Sequence, residues 1–220
     1  MMDSLDPGVD VPWQHSATAF AIQALARLRP LSAPSPSAPP RSDYDLNPGL
    51  VPPADTPLKP AAVLIPIVAR PNLTVLLTQR TASLARHAGQ IAFPGGRIEP
   101  DDASPAAAAL REAHEEIGLD PTLVNPLGFL DTYRSSTGYL IEPLVALVNP
   151  AHTLTLDPGE VAEAFEVPLA FLLDARNRQT HSRLWQGAER HFYAIPYETR
   201  YIWGVTAGIF ANMHERLNQP

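Results

Sequence analysis

Proline is the residue that most restricts how this chain can fold. Of its 25 prolines, 12 lie within residues 1–60. Proline lacks a backbone donor and has a fixed φ, so the segment Pro30–Pro60 suits neither a helix nor a central strand. It predicts an extended linker that wraps on the body of the protein. The residues just before it predict a short helix that starts at Ser16 and stops at Pro30. We therefore divide the chain into an N-terminal helix and Pro-rich extension, residues 1–60, and one domain, residues 61–218.

Charge and composition exclude several classes of function. Sixteen Lys and Arg against 23 Asp and Glu give a formal net charge of −7, whereas proteins that track nucleic-acid phosphates usually present a basic face. The absence of cysteine rules out disulfides, thiolate metal sites and cysteine nucleophiles. No apolar run reaches the length of a membrane span, and the N-terminus lacks the pattern of a secretory signal. We expect a cytoplasmic globular protein that binds neither nucleic acid nor membranes, with homodimer formation left open.

The body alternates strand-like apolar runs with helical segments. Its clearest element is a helix over residues 105–117, with Ser104 as the N-cap, Pro105 as the first residue and Gly118 after the end. Strands on both sides of this helix predict an α/β fold, an α/β/α sandwich around a mixed sheet. The other predicted elements are a hairpin of strands 61–69 and 73–80, a short strand that ends in a turn at 94–96, strands 128–133 and 140–148, a short helix near 168–175, strands 182–186 and 190–198, and a helix from 204 to 217.

Three carboxylates lie on one face of the predicted helix 105–117. Glu112, Glu115 and Glu116 are related by spacings of three and four residues, so their like charges repel unless something neutralises them. A divalent cation would do so, and all-oxygen ligation favours Mg²⁺ or Mn²⁺. The alternative is a solvated helix face. The preceding turn Phe93–Gly96 favours the first interpretation, because glycine lets the backbone approach a ligand closely.

The segment Gly96–Leu119 resembles the Nudix box. The second half of that motif, Arg-Glu-apolar-any-Glu-Glu-any-Gly-apolar, is complete at Arg111–Leu119. The first half departs from it, because Asp102 stands where the motif has Glu and eight residues instead of seven separate it from Arg111.

The departure is itself similar to the coenzyme A pyrophosphatase branch of the Nudix family. That branch is also marked upstream by a Leu-Leu-Thr-any-Arg pattern, an internal Arg and Gly, and Phe-Pro-Gly-Gly. The corresponding residues are Leu76–Arg80, Arg86, Gly89 and Phe93–Gly96. Further matches are Ser136–Tyr139, Glu160–Val161, Phe165–Leu169 and Ile202–Ile209, so the resemblance covers roughly residues 61–215.

The resemblance implies hydrolysis of the pyrophosphate bond of coenzyme A or acyl-CoA to 3′,5′-ADP and 4′-phosphopantetheine or its acyl derivative. It implies Mg²⁺ or Mn²⁺ as cofactor, which screens the charge of the bond that water attacks. The implied metal ligands are Glu112 and Glu116, helped by Glu115 and the Gly96 carbonyl. The implied catalytic set adds Arg111, which orients the glutamates, and Glu160. The general base is either Glu160 or a glutamate of the box. The implied substrate-binding residues are Arg80, Arg86, Gly95 and Gly96.

Several alternatives stay open from the sequence. The substrate is alternatively an ADP-sugar or another nucleoside diphosphate derivative, and the domain is alternatively a nucleotide-binding module without activity. Glu160 also suits a polar loop, and Arg80 and Arg86 also suit surface ion pairs. Trp203 and Tyr201 fit either core or interface aromatics or a platform that stacks an adenine base.

Overall fold

The structure is a computed structural model that describes residues 16–32, 41–82, 88–185 and 187–218. Within these ranges the α-helices are α1 (Ala17–Arg27), α2 (Pro105–Ile117), α3 (Leu169–Leu173) and α4 (Val205–Leu217). Its strands are β1 (Arg41–Ser42), β2 (Lys59–Val68), β3 (Thr74–Arg80), β4 (Ile91–Ala92), β5 (Gly95–Arg97), β6 (Val124–Phe129), β7 (Tyr133–Arg134), β8 (Tyr139–Val148), β9 (Val161–Pro168), β10 (Gln179–Trp185), β11 (Ala188–Tyr197) and β12 (Arg200–Trp203).

The main sheet is mixed, as predicted. Its path is β1-β7-β8-β2-β3-β4, while β5 pairs with β2, β6 with β8 and β9 with β3. Strands β2 and β8 run parallel, with Lys59 opposite Tyr139 and Val68 opposite Val148. Since β3 is antiparallel to β2, the start of β2, the start of β8 and the end of β3 meet at one end of the sheet. A second, antiparallel sheet has the order β10-β11-β12.

Helices cover both faces of the main sheet, which confirms the α/β/α sandwich. Consecutive residues of β2 face opposite ways, so Leu64 packs with α2 and Ile65 packs with the other helices. The α2 side buries Ala109, Ala113 and Ile117 between helix and sheet. The opposite side is filled from α1, α3 and α4 by Phe20, Leu172, Phe210 and Met213.

The predicted ends of α2 are confirmed. The Ser104 hydroxyl accepts a hydrogen bond from the Ala107 amide at 3.1 Å, and Pro105 is the first helical residue. Gly118 ends the helix in the left-handed region, with φ of 65°. A Cβ there would lie 2.9 Å from Thr155, so both conformation and space require glycine.

The described part of the extension is held against the body. Helix α1 starts after Ser16 as predicted, and after its end the buried Arg29 forms an ion pair with the buried Glu142 of β8. Residues 41–58 run along the body through β1, which pairs with β7, and a 3₁₀ turn at Pro48–Leu50. Strand β2 begins at Lys59; the division of the chain at residue 60 stays a prediction.

Several elements differ from the sequence prediction. The strand predicted over residues 128–133 is displaced, because β6 covers Val124–Phe129 and β7 covers Tyr133–Arg134. Gly95 and Gly96, predicted as part of a turn, form β5 together with Arg97, because the two glycines let the chain lie close along β2. Residues 161–168 form β9 against β3; no strand was predicted there, and a polar loop was the alternative interpretation of the segment around Glu160. Residues 200–203 form an additional strand, β12, against β11. No described helix is long and apolar enough to cross a membrane.

Candidate active site

Two glycines of β5 bring the backbone against helix α2. Gly95 lies opposite Val63 and Gly96 opposite Ala62 in the pairing with β2. A Cβ on Gly95 would lie 2.5 Å from the Ala62 carbonyl oxygen. A Cβ on Gly96 would lie 2.5 Å from the carboxyl carbon of Glu112. The Glu112 carboxylate therefore rests directly on the Gly96 backbone, in a space that any side chain at position 96 would fill.

We call Glu112, Glu115, Glu116 and Glu160 the acidic cluster. Glu116 is its most buried carboxylate, with 4% of its surface exposed. Its Oε2 accepts a hydrogen bond from the Gly95 amide at 3.2 Å, and its Oε1 lies 3.5 Å from Arg80 Nη1. Burial raises the pKa of Glu116 to about 7, and the negative charges of Glu112 and Glu160 act in the same direction. The Gly95 amide and Arg80 oppose this shift but do not cancel it. The Glu116 carboxylate is thus buried with less compensation by positive charge and hydrogen bonds than its burial requires.

Glu112 lies beside Glu116 in the same electrostatic environment. Burial raises the pKa of Glu112, while its hydrogen bond and ion pair with Arg111 oppose that shift. Glu115 and Glu160 both repel it. Two neighbouring carboxylates with raised pKa values are a common feature of catalytic and metal sites.

Arg111 holds the outer side of the cluster together. Its Nη1 donates to Glu115 at 2.8 Å and to Glu112 at 3.1 Å, so it contacts both glutamates. Its Nε and Nη2 form a bidentate pair with Asp102 at 3.0 and 2.9 Å, and Nη2 also donates to the Arg97 carbonyl. The hydrogen bond from Arg111 lowers the pKa of Asp102 below its ordinary value. Asp102, to which the sequence analysis assigned no role, anchors Arg111. Its place at the first acidic position of the box was the signal that could have indicated this.

Glu115 is oriented differently from its two neighbours. Its side chain is 57% exposed and pairs with Arg111, four residues earlier on the helix. The structure therefore brings Glu112 and Glu116 to the glycines and places Glu115 at the rim.

Arg80 joins the upstream motif to the glutamates. It lies at the end of β3, at an irregularity in the pairing with β9. Its Nη1 is 3.5 Å from Glu116 and its Nη2 is 3.9 Å from the half-exposed Glu160. Glu160 precedes β9 and faces the same cluster. Arg86 lies outside the described residues.

Comparison with known proteins now decides the family. Residues 58–186 match the model of the NUDIX domain. The chain is 43% identical over 157 residues to a Photorhabdus laumondii protein named uncharacterized Nudix hydrolase NudL, which covers 71% of this chain and 84% of that protein. The chain belongs to the Nudix family. The NudL protein of Escherichia coli K12 is 42% identical over 153 residues, covering 70% of this chain and 80% of the relative. Among solved structures, a Caenorhabditis elegans Ap4A hydrolase binary complex is 22% identical with a TM-score of 0.44, covering 52% of this chain and 82% of that one.

Family membership makes the chain a Nudix hydrolase that acts on pyrophosphate bonds and depends on a divalent metal. Its residues fit such an ion. Glu112, Glu116 and the backbone at Gly96 offer oxygen donors only, as a hard cation requires, and the Glu112 carboxylate lies directly against Gly96. Within the described part of the chain, no group of three or more acidic or histidine side chains has the arrangement of a metal site. This Nudix site would therefore supply two carboxylates as metal ligands, and water and substrate oxygens would complete the coordination of the ion.

Proposed function

We propose that this Nudix hydrolase cleaves the pyrophosphate bond of coenzyme A or acyl-CoA, giving 3′,5′-ADP and 4′-phosphopantetheine or its acyl derivative. The observation that carries the proposal is the position of Arg80. The Leu76–Arg80 pattern marks the coenzyme A branch, and Arg80 lies between Glu116 and Glu160. A residue of the branch pattern is thus part of the cluster that would perform the hydrolysis.

The proposed chemistry assigns different work to the residues of the cluster. Glu112, Glu116 and the Gly96 carbonyl would hold Mg²⁺ or Mn²⁺, which neutralises the charge of the pyrophosphate and of the leaving phosphate. Arg80 has a guanidinium that suits a phosphate oxygen, so it would bind the substrate once it is released from Glu116. Gly95 keeps its amide directed at Glu116 and so fixes that carboxylate.

The remaining residues position these groups and move protons. Arg111, anchored by Asp102, orients Glu112 and does not itself need to touch the substrate. Glu160 is half exposed and faces the buried carboxylates, so it would accept a proton from the attacking water and pass it to solvent. A box glutamate is the alternative base.

A substrate panel tests the proposal. Purified protein with Mg²⁺ or Mn²⁺ is incubated with coenzyme A, acetyl-CoA, ADP-ribose, NADH and diadenosine tetraphosphate, and the products are separated and identified by mass. We expect coenzyme A or acetyl-CoA to give the highest kcat/KM, with 3′,5′-ADP among the products. A higher kcat/KM for ADP-ribose or a dinucleoside polyphosphate would overturn the coenzyme A assignment and leave the pyrophosphatase assignment intact.

A further inference from the structure

The second sheet carries an unusual concentration of basic and aromatic side chains on one face. In the pairing of β10 with β11, Arg183 lies directly opposite Arg190. Residues that lie opposite each other on paired strands point to the same face. Trp185, Phe192 and Trp203 share that face, as the contacts of the Arg183 guanidinium with all three rings show. We call these five residues the basic-aromatic face.

A cavity of about 280 Å³ lies between this face and residues 42–50 of the extension. Two side chains fasten that segment over the cavity. Asp43 accepts hydrogen bonds from the Tyr133 hydroxyl at 2.8 Å and the Ser136 amide at 2.7 Å. Asn47 exchanges two hydrogen bonds of 2.8 Å with the backbone of His191. The volume is close to the lower end of the range for small-molecule sites.

The cavity holds positive charge that the described residues leave unbalanced. Like charges directly opposite each other on paired strands repel. Within the described ranges, neither Arg183 nor Arg190 forms an ion pair, and the buried Nε of Arg190 has no hydrogen-bond partner. Asp43, the one carboxylate among the described residues that line the cavity, already accepts hydrogen bonds from Tyr133 and Ser136. A bound anion would satisfy the buried donor and separate the two guanidinium groups.

The aromatic residues of this face indicate a second property of the ligand, a flat ring system. Arg183 lies 4.8 Å from the ring centre of Trp203 and 5.1 Å from that of Trp185, while Phe192 and Trp203 are in edge contact at 5.4 Å. Such rings stack the flat face of a base, as aromatic side chains do in sequence-independent nucleotide binding. Paired arginines match phosphate oxygens.

We propose that this cavity binds a nucleoside phosphate, with the phosphate between Arg183 and Arg190 and the base on the basic-aromatic face. The cavity is formed jointly by the matched family residues 58–186, which supply Arg183 and Trp185, and by flanking residues that include Arg190, Trp203 and the covering segment 42–50. It stands at the end of the main sheet where β8 begins, which is also the end that holds Gly96. The ligand is either the nucleotide end of the substrate or a free nucleotide.

Titration of tryptophan fluorescence with adenosine 3′,5′-bisphosphate, in the presence of EDTA, tests the site without any turnover. Trp185 and Trp203 line the cavity, so binding should change their emission. We expect saturable binding by the wild type and a loss of about tenfold in affinity for Arg190→Gln or Arg183→Gln, since each removes a charge-assisted contact. Arg190→Lys should recover part of the loss. Arg176→Gln is the matched control, because Arg176 is exposed, pairs with Asp174 and does not line the cavity.

Folding of the variants is checked by thermal melting. Arg190→Gln should melt at or above the wild-type temperature because the repulsion is relieved, whereas Arg183→Gln also loses its stabilising contacts with the aromatic rings. No saturable binding by the wild type, or equal binding by the double variant Arg183→Gln/Arg190→Gln, would overturn the proposal. So would an equal loss in Arg176→Gln.

Inhibition of coenzyme A hydrolysis then distinguishes the two possible ligands of the cavity. Competitive inhibition by the bisphosphate identifies the substrate's nucleotide end, and non-competitive inhibition identifies a free nucleotide. Binding without metal can succeed even if no substrate is hydrolysed, so the two proposals fail separately.

Discussion

The acidic cluster at Gly96 and the basic-aromatic face are opposite in charge and were assembled in opposite ways. The acidic cluster comes mostly from one stretch, Gly95 to Glu116, in which a glycine pair and one helix place the carboxylates. The basic cavity is assembled from the N-terminal extension, the turn before β8 and the second sheet. In each region like charges stand together without full neutralisation, which costs stability and is common where a charged ligand binds.

The comparison shows where the sequence carries information about function. A site formed by one contiguous motif can be predicted from the spacing of its residues. A site formed by distant segments depends on strand register and loop conformation, which the spacing does not show. The four predictions that follow separate the two regions and rank the contributions within each.

The largest expected effect comes from Glu116→Gln. The substitution keeps size and removes the charge that would hold a cation, so kcat should fall about 10³-fold, a loss typical of a lost electrostatic contact to the transition state. Hydrolysis of coenzyme A in Mg²⁺ measures it. Glu115→Gln is the matched control on the same helix, and should lose far less because Glu115 is exposed and paired with Arg111. Equal losses in the two variants would contradict the distinction between buried and rim glutamates.

Gly96→Ala tests the same site through geometry instead of charge. The added methyl would lie 2.5 Å from the Glu112 carboxyl carbon and must displace it. A displacement of about 1 Å typically costs about 10²-fold in rate, and we expect that loss in kcat/KM. Gly49→Ala is the control, because nothing lies within 4 Å of the position of its Cβ. Full activity of Gly96→Ala would show that Glu112 does not work from its place on the glycine.

Asp102→Asn should have a smaller effect, since Asp102 acts through Arg111. Losing the charged half of the bidentate pair loosens Arg111 and with it Glu112. Residues that orient metal ligands typically contribute about 10–100-fold, and we expect the lower end of that range in kcat with little change in KM. Asp101→Asn, at the exposed neighbouring position, is the control. A change in KM alone would assign Asp102 to substrate binding instead.

The sequence predicted most of the acidic region because its signals are local. Ser104, Pro105 and Gly118 fix the ends of α2 through capping and backbone conformation, and each is visible in one stretch of residues. The different directions of Glu115 and Glu116 were not visible from the spacing that groups them. Successive helical residues are rotated by about 100°, so Glu115 turns toward Arg111 while Glu116 turns toward Gly95. Only the packing of α2 on β2 and β5 decides which of the two reaches the glycines.

The cavity beside the basic-aromatic face could not be predicted from the sequence, for a different reason. The opposition of Arg183 and Arg190 depends on the register of β10 and β11, and a shift of one residue would turn one of them to the other face. The proline content of the extension predicted that it would wrap on the body, but not that Asp43 would reach Tyr133 and Ser136. Trp203 was assigned to either a core or a stacking role, and the sequence offered no way to choose between them.

Asp43→Asn tests whether the extension belongs to the cavity, with the smallest effect of the four. The asparagine keeps the size of the side chain but weakens the bonds to the Tyr133 hydroxyl and the Ser136 amide. The expected loss of stability is about 1–2 kcal/mol, or a few degrees in Tm for a chain of this size. Asp55→Asn, at an exposed position of the same extension, is the control and should not change Tm. If the segment 42–50 forms a wall of the cavity, Asp43→Asn should also weaken binding of adenosine 3′,5′-bisphosphate in EDTA. Glu116→Gln should leave this binding unchanged, because Glu116 does not line the cavity. A variant with lower Tm and unchanged bisphosphate affinity would show that this segment stabilises the fold without contributing to the site.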